Sequence, residues 1–119
     1  MSVQPPSVPA HVGFSIRIRP DRDRVIVVLG GEFDLATAGR VERWTGELQE
    51  RGFTSLVLDL RRLTFIDSSG LKLLLRLDAT ARADGFSFAI IDGEGPVRRL
   101  LELTCLTDRF AHAAPPAVG

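Results

Sequence analysis

Two adjacent serines follow an aspartate just before a predicted helix, in the stretch Asp67-Ser68-Ser69-Gly70. The first backbone N–H groups of a helix have no partner within the helix, and with the helix dipole they favour negative charge. A phosphate on Ser68 would add about −1.5 to −2 charge at this end, so the fold should tolerate it. The structural alternative is that one serine caps the helix while Gly70 permits a tight turn. Because a cap uses only one hydroxyl, the second stays exposed, and the stretch is a candidate phosphorylation site.

Two charged neighbours affect this chemistry. Lys72, the only lysine in the chain, follows Ser68 by four residues and would reach a phosphate from the first helical turn. A solvated surface lysine is the simpler interpretation. The Asp67 carboxylate either repels a phosphate or orients the Ser68 hydroxyl toward a phosphoryl donor.

The leucines at 71, 73, 74, 75 and 77 predict a largely buried helix, in which one leucine remains available for a partner.

Changes in hydrophobic period predict the elements that position this stretch. The alternation of Phe14, Ile16 and Ile18 with polar residues indicates an edge strand. The β-branched run at 25–29 is typical of a strand covered on both faces. Apolar residues at helical spacing then follow Thr37, the predicted N-cap.

Further strands are predicted at 56–60, 86–91 and 109–111, with helices at 71–83 and from Pro96 onward. The resulting order is β-β-α-β-α-β-α-β. Strands separated by single helices pair in parallel through right-handed crossovers, whereas the opening two strands form an antiparallel hairpin. The fold class is therefore α/β, with helices packed on a small mixed central sheet.

Length and composition limit the class of protein. The 119 residues suffice for one domain, and 45% hydrophobic with 25% charged residues are ordinary values for a globular chain. Fifteen basic residues balance fifteen acidic ones, so no overall charge directs the chain to nucleic acid or a membrane surface. A single cysteine and the lack of a signal-like or bilayer-spanning segment predict a cytoplasmic protein. We predict a flexible proline-rich arm over 1–12, a folded domain over 13–112 and a flexible tail over 113–119.

Two motifs resemble a known family. Phe65-Ile66-Asp67-Ser68-Ser69-Gly70-Leu71 and Gly31-Glu32-Phe33-Asp34-Leu35-Ala36-Thr37-Ala38 are similar to the STAS domain of bacterial anti-sigma factor antagonists. The resemblance covers nearly the whole predicted domain and implies a STAS-like fold. It also implies that Asp34, with Glu32 and Phe33 as weaker candidates, lies near the phosphorylation loop on the surface that contacts a partner. An aspartate that stabilises its own turn is an equally good interpretation of Asp34.

The resemblance implies a function as well. In that family the serine after the aspartate, here Ser68, is phosphorylated by an anti-sigma factor that is also an ATP-dependent kinase, and Ser69 would be a capping or supporting hydroxyl. The unphosphorylated antagonist binds this factor and frees a sigma factor. Phosphorylation breaks the complex, and a phosphatase restores it. The chain would then be a regulator without a cofactor, not an enzyme, with partner contacts at Asp67, Ser69, Gly70, Leu71, Lys72, Glu32 and Asp34.

Other functions have weaker support. The two histidines, His11 and His112, lie near the chain ends, so a serine hydrolase would lack its base, and with Cys105 they show no metal-ligand spacing. The glycine pairs match no nucleotide fingerprint, and the arginine pairs are not interleaved with aromatic residues as in a nucleic-acid groove. The remaining alternative is a STAS scaffold that is never phosphorylated. Such a scaffold would be a nucleotide- or ligand-binding regulatory subunit of a sensor or transport complex.

Overall fold

An antiparallel hairpin opens the sheet, as the alternation of Ile16 and Ile18 with arginines predicts. The computed structural model describes residues 13–116, with β1 at Ser15–Asp21 and β2 at Arg24–Phe33. Asp21 pairs with Arg24, so the two strands are joined by a two-residue turn. Arg22 adopts the left-handed backbone conformation in this turn, with φ of 60°.

Three strands continue the sheet in parallel with β2. They are β3 at Ser55–Ile66, β4 at Ser87–Ile91 and β5 at Ala111–His112, and the five strands stand in chain order across the sheet. Helices α1 (Leu35–Glu50), α2 (Ser68–Asp84) and α3 (Pro96–Leu103) follow β2, β3 and β4 in turn. The predicted α/β class, with a mixed sheet that begins as an antiparallel hairpin, is confirmed.

The three helices cover one face of this sheet. Right-handed crossovers between neighbouring strands in chain order carry every helix to the same side. One main core accordingly combines alternate strand residues with residues of each helix: Ile16, Val27, Leu58, Ile90, Val41, Leu74 and Leu101. The opposite face, called the second face below, carries a smaller buried cluster of Ile26, Val28, Val57 and Ile91.

Helix α2 is buried around much of its circumference, as its leucines predict. Leu73, Leu74 and Leu77 are buried, whereas Leu71 and Leu75 are half-buried against the same core. Leu71 therefore packs mainly inward, and its role in a partner contact stays a prediction. None of the helices in residues 13–116 is both long and apolar enough to cross a bilayer.

Several strand boundaries differ from the predicted ones. β2 continues beyond Leu29 as far as Phe33. β3 continues beyond Leu60 as far as Ile66, and shifts in its register with β2 allow both Leu60 and Leu63 to be buried. The last strand begins at Ala111, because Thr107–Arg109 form a 3₁₀ turn instead of extended chain. Arg109 instead donates to Asp78 of α2 (Nε–Oδ2 3.1 Å).

The backbone after β5 stays in contact with the sheet. The Ala113 N–H donates to the Ile90 carbonyl (2.9 Å), and Arg24 Nη1 donates to the Ala114 carbonyl (3.2 Å). These two residues of the predicted tail are thus bonded to β4 and β2. The predicted arm over 1–12 and the end of the tail at 117–119 lie outside the described residues, so the domain boundaries stay predictions.

Candidate functional site

The carboxyl ends of β2 and β3 meet at one edge of the sheet and bring the two motifs together. Phe33 and Ile66 are register partners, and the Asp67 N–H donates to the Phe33 carbonyl (3.3 Å). Helices α1 and α2 each start within two residues of these strand ends. We call this part of the molecule, residues 32–35 and 65–72, the motif edge.

Asp67 caps α2. Its Oδ1 accepts hydrogen bonds from the backbone N–H groups of Ser69 (2.9 Å) and Gly70 (3.2 Å). The interpretation that a serine caps this helix is therefore wrong, and of the two roles expected for Ser69, capping or supporting hydroxyl, only the supporting role stays a prediction. A carboxylate at the N-cap accepts from two N–H groups of the first turn, which leaves no need for a hydroxyl cap. The helix consequently begins at Ser68, earlier than the predicted Leu71.

Ser68 is the first residue of α2 and is exposed to solvent. Its side chain is exposed, whereas Ser69 is half-buried and Gly70 is buried. Within residues 13–116, no hydrogen bond engages the Ser68 hydroxyl. Lys72 is exposed one turn further along the helix, where residues four apart lie on the same side. The motif edge therefore presents one accessible hydroxyl with a lysine close by.

Gly70 permits α2 to approach the end of β2. A Cβ at this position would lie 2.8 Å from the Phe33 carbonyl oxygen and 3.0 Å from side-chain carbons of both Phe33 and Ile66. Backbone and buried side chains of this kind cannot move aside without disturbing the strand ends. The tight-turn role predicted for this glycine is thus replaced by a packing role inside the first turn of the helix.

Asp34 repeats the same arrangement at α1. Its Oδ1 accepts from the N–H groups of Ala36 (3.0 Å) and Thr37 (3.2 Å), and its own N–H donates to Thr37 Oγ1 (3.0 Å). The predicted N-cap, Thr37, is therefore the third helical residue of a capping box instead. Asp34 stabilises its own turn, as one of its two interpretations requires, while its contact with a partner stays a prediction.

Glu32 lies at the end of β2 with its side chain exposed. Its backbone carbonyl accepts from the buried Thr37 hydroxyl (2.9 Å), which ties the strand end to α1. Glu32 is also the register partner of Phe65 on β3. Glu32 is therefore an exposed residue of the motif edge, whereas its neighbour Phe33 is fully buried, so the prediction that Phe33 contacts a partner is wrong.

Two exposed apolar side chains at the motif edge were not singled out from the sequence. Leu35 is 78% exposed at the start of α1, and Phe65 is 46% exposed near the end of β3. Both residues lie inside the two motifs. Because other apolar residues lie close by in each motif, the hydrophobic periodicity of the sequence does not distinguish these exposed side chains from buried ones. Exposed large apolar groups beside polar ones are typical of protein contact surfaces.

The other reactive residues are engaged or lie elsewhere. The His112 ring approaches the Thr107 carbonyl (2.9 Å) and the Asp92 carboxylate (3.6 Å), and Cys105 is exposed after α3. His11 lies outside the described residues. Within residues 13–116, no group of three or more histidine, cysteine, aspartate or glutamate side chains is placed to hold a metal ion.

Fold and motif edge together define a small single α/β domain that presents a serine hydroxyl at a helix start. The chain belongs to the STAS domain family, whose sequence profile matches residues 15–115. An anti-sigma F factor antagonist of Paenibacillus polymyxa is 34% identical over 96 residues, which cover 80% of this chain and 82% of that relative.

Solved structures agree with this assignment. An anti-sigma factor antagonist from Mycobacterium paratuberculosis is 27% identical, with a TM-score of 0.70 and coverage of 92% of both chains. SpoIIAA of Bacillus, solved in its phosphorylated form, shares the fold, with a TM-score of 0.64 and 21% identity over 83% of this chain and 91% of that chain.

The capping geometry predicts unequal effects of two neighbouring substitutions. Asp67→Ala should lower the free energy of unfolding by about 0.5–2 kcal/mol, because two N–H groups of α2 lose their acceptor. Ser69→Ala, the matched control, should change it by less than about 0.5 kcal/mol. Urea denaturation measures both values. An equal loss in the two variants would assign part of the cap to Ser69.

The close approach at Gly70 predicts opposite effects for two helical glycines. Gly70→Ala should destabilise the domain by about 1–3 kcal/mol, because the added methyl overlaps the Phe33 carbonyl. Gly39→Ala in α1 meets open space, so it should stabilise by about 0.5–1 kcal/mol through helix propensity. Thermal and urea unfolding of both variants test this. A gain in stability for Gly70→Ala would refute the packing role.

Proposed function

We propose that this chain is an anti-sigma factor antagonist whose Ser68 is the substrate of a partner anti-sigma factor with serine kinase activity. The observation that carries the proposal is the exposed Ser68 hydroxyl at the first position of α2, unoccupied by capping because Asp67 performs that task. The family membership and the name of the Paenibacillus polymyxa relative support the same function. SpoIIAA, a structure with this fold, exists in a phosphorylated form.

The reaction at Ser68 is a phosphoryl transfer. The Ser68 Oγ attacks the γ-phosphorus of ATP bound by the partner, the bond to the β,γ-bridging oxygen breaks, ADP leaves and the hydroxyl proton is released. All nucleotide chemistry belongs to the kinase, so this chain needs no cofactor and acts as the acceptor. A separate phosphatase would hydrolyse the phosphoserine and regenerate the hydroxyl.

The phosphate would alter the surface more than the fold. Its charge of about −1.5 to −2 would stand at the electropositive start of α2, where backbone N–H groups stabilise an anion. Asp67 is adjacent in the chain and repels it, whereas Lys72 is one turn away and attracts it. The domain therefore stays folded while the motif edge becomes strongly negative.

The same edge supplies a contact surface for the anti-sigma factor. The apolar side chains of Leu35 and Phe65 are exposed there, with the carboxylate of Glu32 and the ammonium of Lys72 at the rim. An apolar centre with a charged rim is the usual anatomy of a protein interface. Burying a phosphate dianion next to such a centre costs free energy, so phosphorylation would release the partner and allow it to recapture its sigma factor.

The first experiment tests the acceptor serine. Wild-type protein is incubated with ATP and each candidate anti-sigma kinase of the source cell, and intact mass and phosphopeptides are then measured. We expect one phosphoryl group on Ser68, none in Ser68→Ala and one in the control Ser69→Ala. Ser68→Ala should still bind the kinase, and Ser68→Asp should fold but bind at least about tenfold more weakly. Binding of Ser68→Asp at wild-type strength would contradict the electrostatic switch, and phosphate on Ser69 would contradict the assigned site.

A second experiment tests the contact surface with a matched pair of leucines. Leu35 and Leu103 are both 78% exposed, but Leu103 lies at the end of α3 and outside the motif edge. Leu35→Ala and Phe65→Ala should each weaken binding of the anti-sigma factor at least about fivefold, as for central interface residues. Leu103→Ala should leave the dissociation constant within about twofold. Calorimetric titration measures all three, and equal effects at Leu35 and Leu103 would refute this surface.

A further inference from the structure

Four arginines converge on the second face of the sheet, away from the helices. They line a cavity of about 320 Å³ together with Val28 and Asp59, and they are Arg17, Arg19, Arg61 and Arg62. Arg17 of β1 is the register partner of Val28 on β2, and Val28 is the partner of Asp59 on β3, so the cavity spans three adjacent strands. The volume lies at the lower end of the range for small-molecule sites.

Arg61 is paired with Asp59, the one acidic residue among the described residues that line the cavity. The Asp59 side chain is 5% exposed, and Arg61 donates to it from Nε (3.0 Å), Nη2 (2.8 Å) and its backbone N–H (3.1 Å). Burial raises the pKa of Asp59, but the hydrogen bonds and charge of Arg61, with the charge of Arg62, outweigh burial and leave it lowered. Asp59 is thus ionised, and Arg61 balances its charge.

Two of the other arginines, Arg17 and Arg62, give the cavity an excess of positive charge. Among residues 13–116, neither Arg17 nor Arg62 forms an ion pair or a side-chain hydrogen bond, and both side chains are exposed. The charge of Arg62 also contributes to lowering the pKa of Asp59. The whole chain is electrically neutral, so this concentration of guanidinium groups is local.

We infer that this cavity, the arginine cavity, binds a small anion that carries a phosphate or diphosphate group. A guanidinium is a planar fork of donors that matches phosphate oxygens bidentately, and it stays charged at every physiological pH. Donors that approach from β1 and β3 suit a compact anion with oxygens on several sides. Asp59 occupies the Nε–Nη2 edge of Arg61 and holds this guanidinium in place, so only its remaining Nη N–H groups are available to an anion, at a lower ordering cost.

This site goes beyond the proposed switch, because it lies on the second face and none of its lining residues belongs to the motif edge. Phosphorylation of Ser68 and anion binding in the arginine cavity are therefore separable. Ser68→Ala should bind the anion like the wild type. A failure of the kinase experiment would leave this inference untouched, and the reverse also holds.

The test is calorimetric titration of the full chain with inorganic pyrophosphate at low ionic strength. We expect saturable binding of one anion per chain. Arg17→Gln combined with Arg62→Gln should weaken it at least about tenfold, because two guanidinium forks are lost. Arg43→Gln combined with Arg99→Gln removes the same charge from exposed positions on α1 and α3 and should change binding less than about twofold.

Three further measurements separate charge from packing and identify the ligand. Thermal unfolding checks that the double variant folds, since arginine stems also cover apolar surface. If it does not fold, Arg17→Lys with Arg62→Lys retains charge and stem but lacks the fork, and it should still weaken binding several-fold. ADP titrated in parallel distinguishes a nucleotide, which would bind more tightly than pyrophosphate, from a free phosphate anion. No saturable binding of either anion, or equal weakening in the two glutamine variants, would overturn the inference.

Discussion

The geometry of the motif edge depends on the pairing between the last residues of β2 and β3. The Phe33 carbonyl accepts the Asp67 N–H, and the same carbonyl lies so close to Gly70 that no side chain fits between them. One backbone group therefore positions both the residue before α2 and the first turn of α2. Ser68 lies between these two fixed points, so its backbone has a defined place, while its hydroxyl makes no hydrogen bond within residues 13–116.

Aspartates cap both helices at the motif edge, so no serine hydroxyl is needed for capping. Asp34 and Asp67 satisfy the first N–H groups of α1 and α2 with carboxylate oxygens. A serine cap would have engaged a hydroxyl in the fold and hidden it from a kinase. Because Asp67 provides the cap, the Ser68 hydroxyl forms no hydrogen bond within residues 13–116. A phosphate added to it would lie next to the negative charge of Asp67. This proximity enlarges the electrostatic difference between the two states of the proposed switch.

The two faces of the sheet differ in their physical chemistry. The helix-covered face holds the main core and needs only apolar, well-packed side chains. The second face combines a small apolar cluster with arginines and one buried carboxylate, a mixture that packing alone does not require. The domain thus has three distinct regions: a core, the motif edge, for which we propose a protein partner, and the second face, for which we propose a small anion. The partner and the anion would occupy different surfaces of the domain.

Local patterns in the sequence determined the element order and the mixed α/β sheet, because strand alternation and helical spacing depend on near neighbours. They also placed Asp67-Ser68-Ser69-Gly70 at the start of a helix. The resemblance to STAS domains followed from two short motifs for the same reason. Tertiary structure decided which group caps each helix, since a carboxylate and a hydroxyl at neighbouring positions are equally good candidates in isolation. It also decided that Leu35 and Phe65 are exposed and that Arg17 and Arg62 share a cavity. Those facts depend on strand register and on contacts between distant segments, which no local pattern contains.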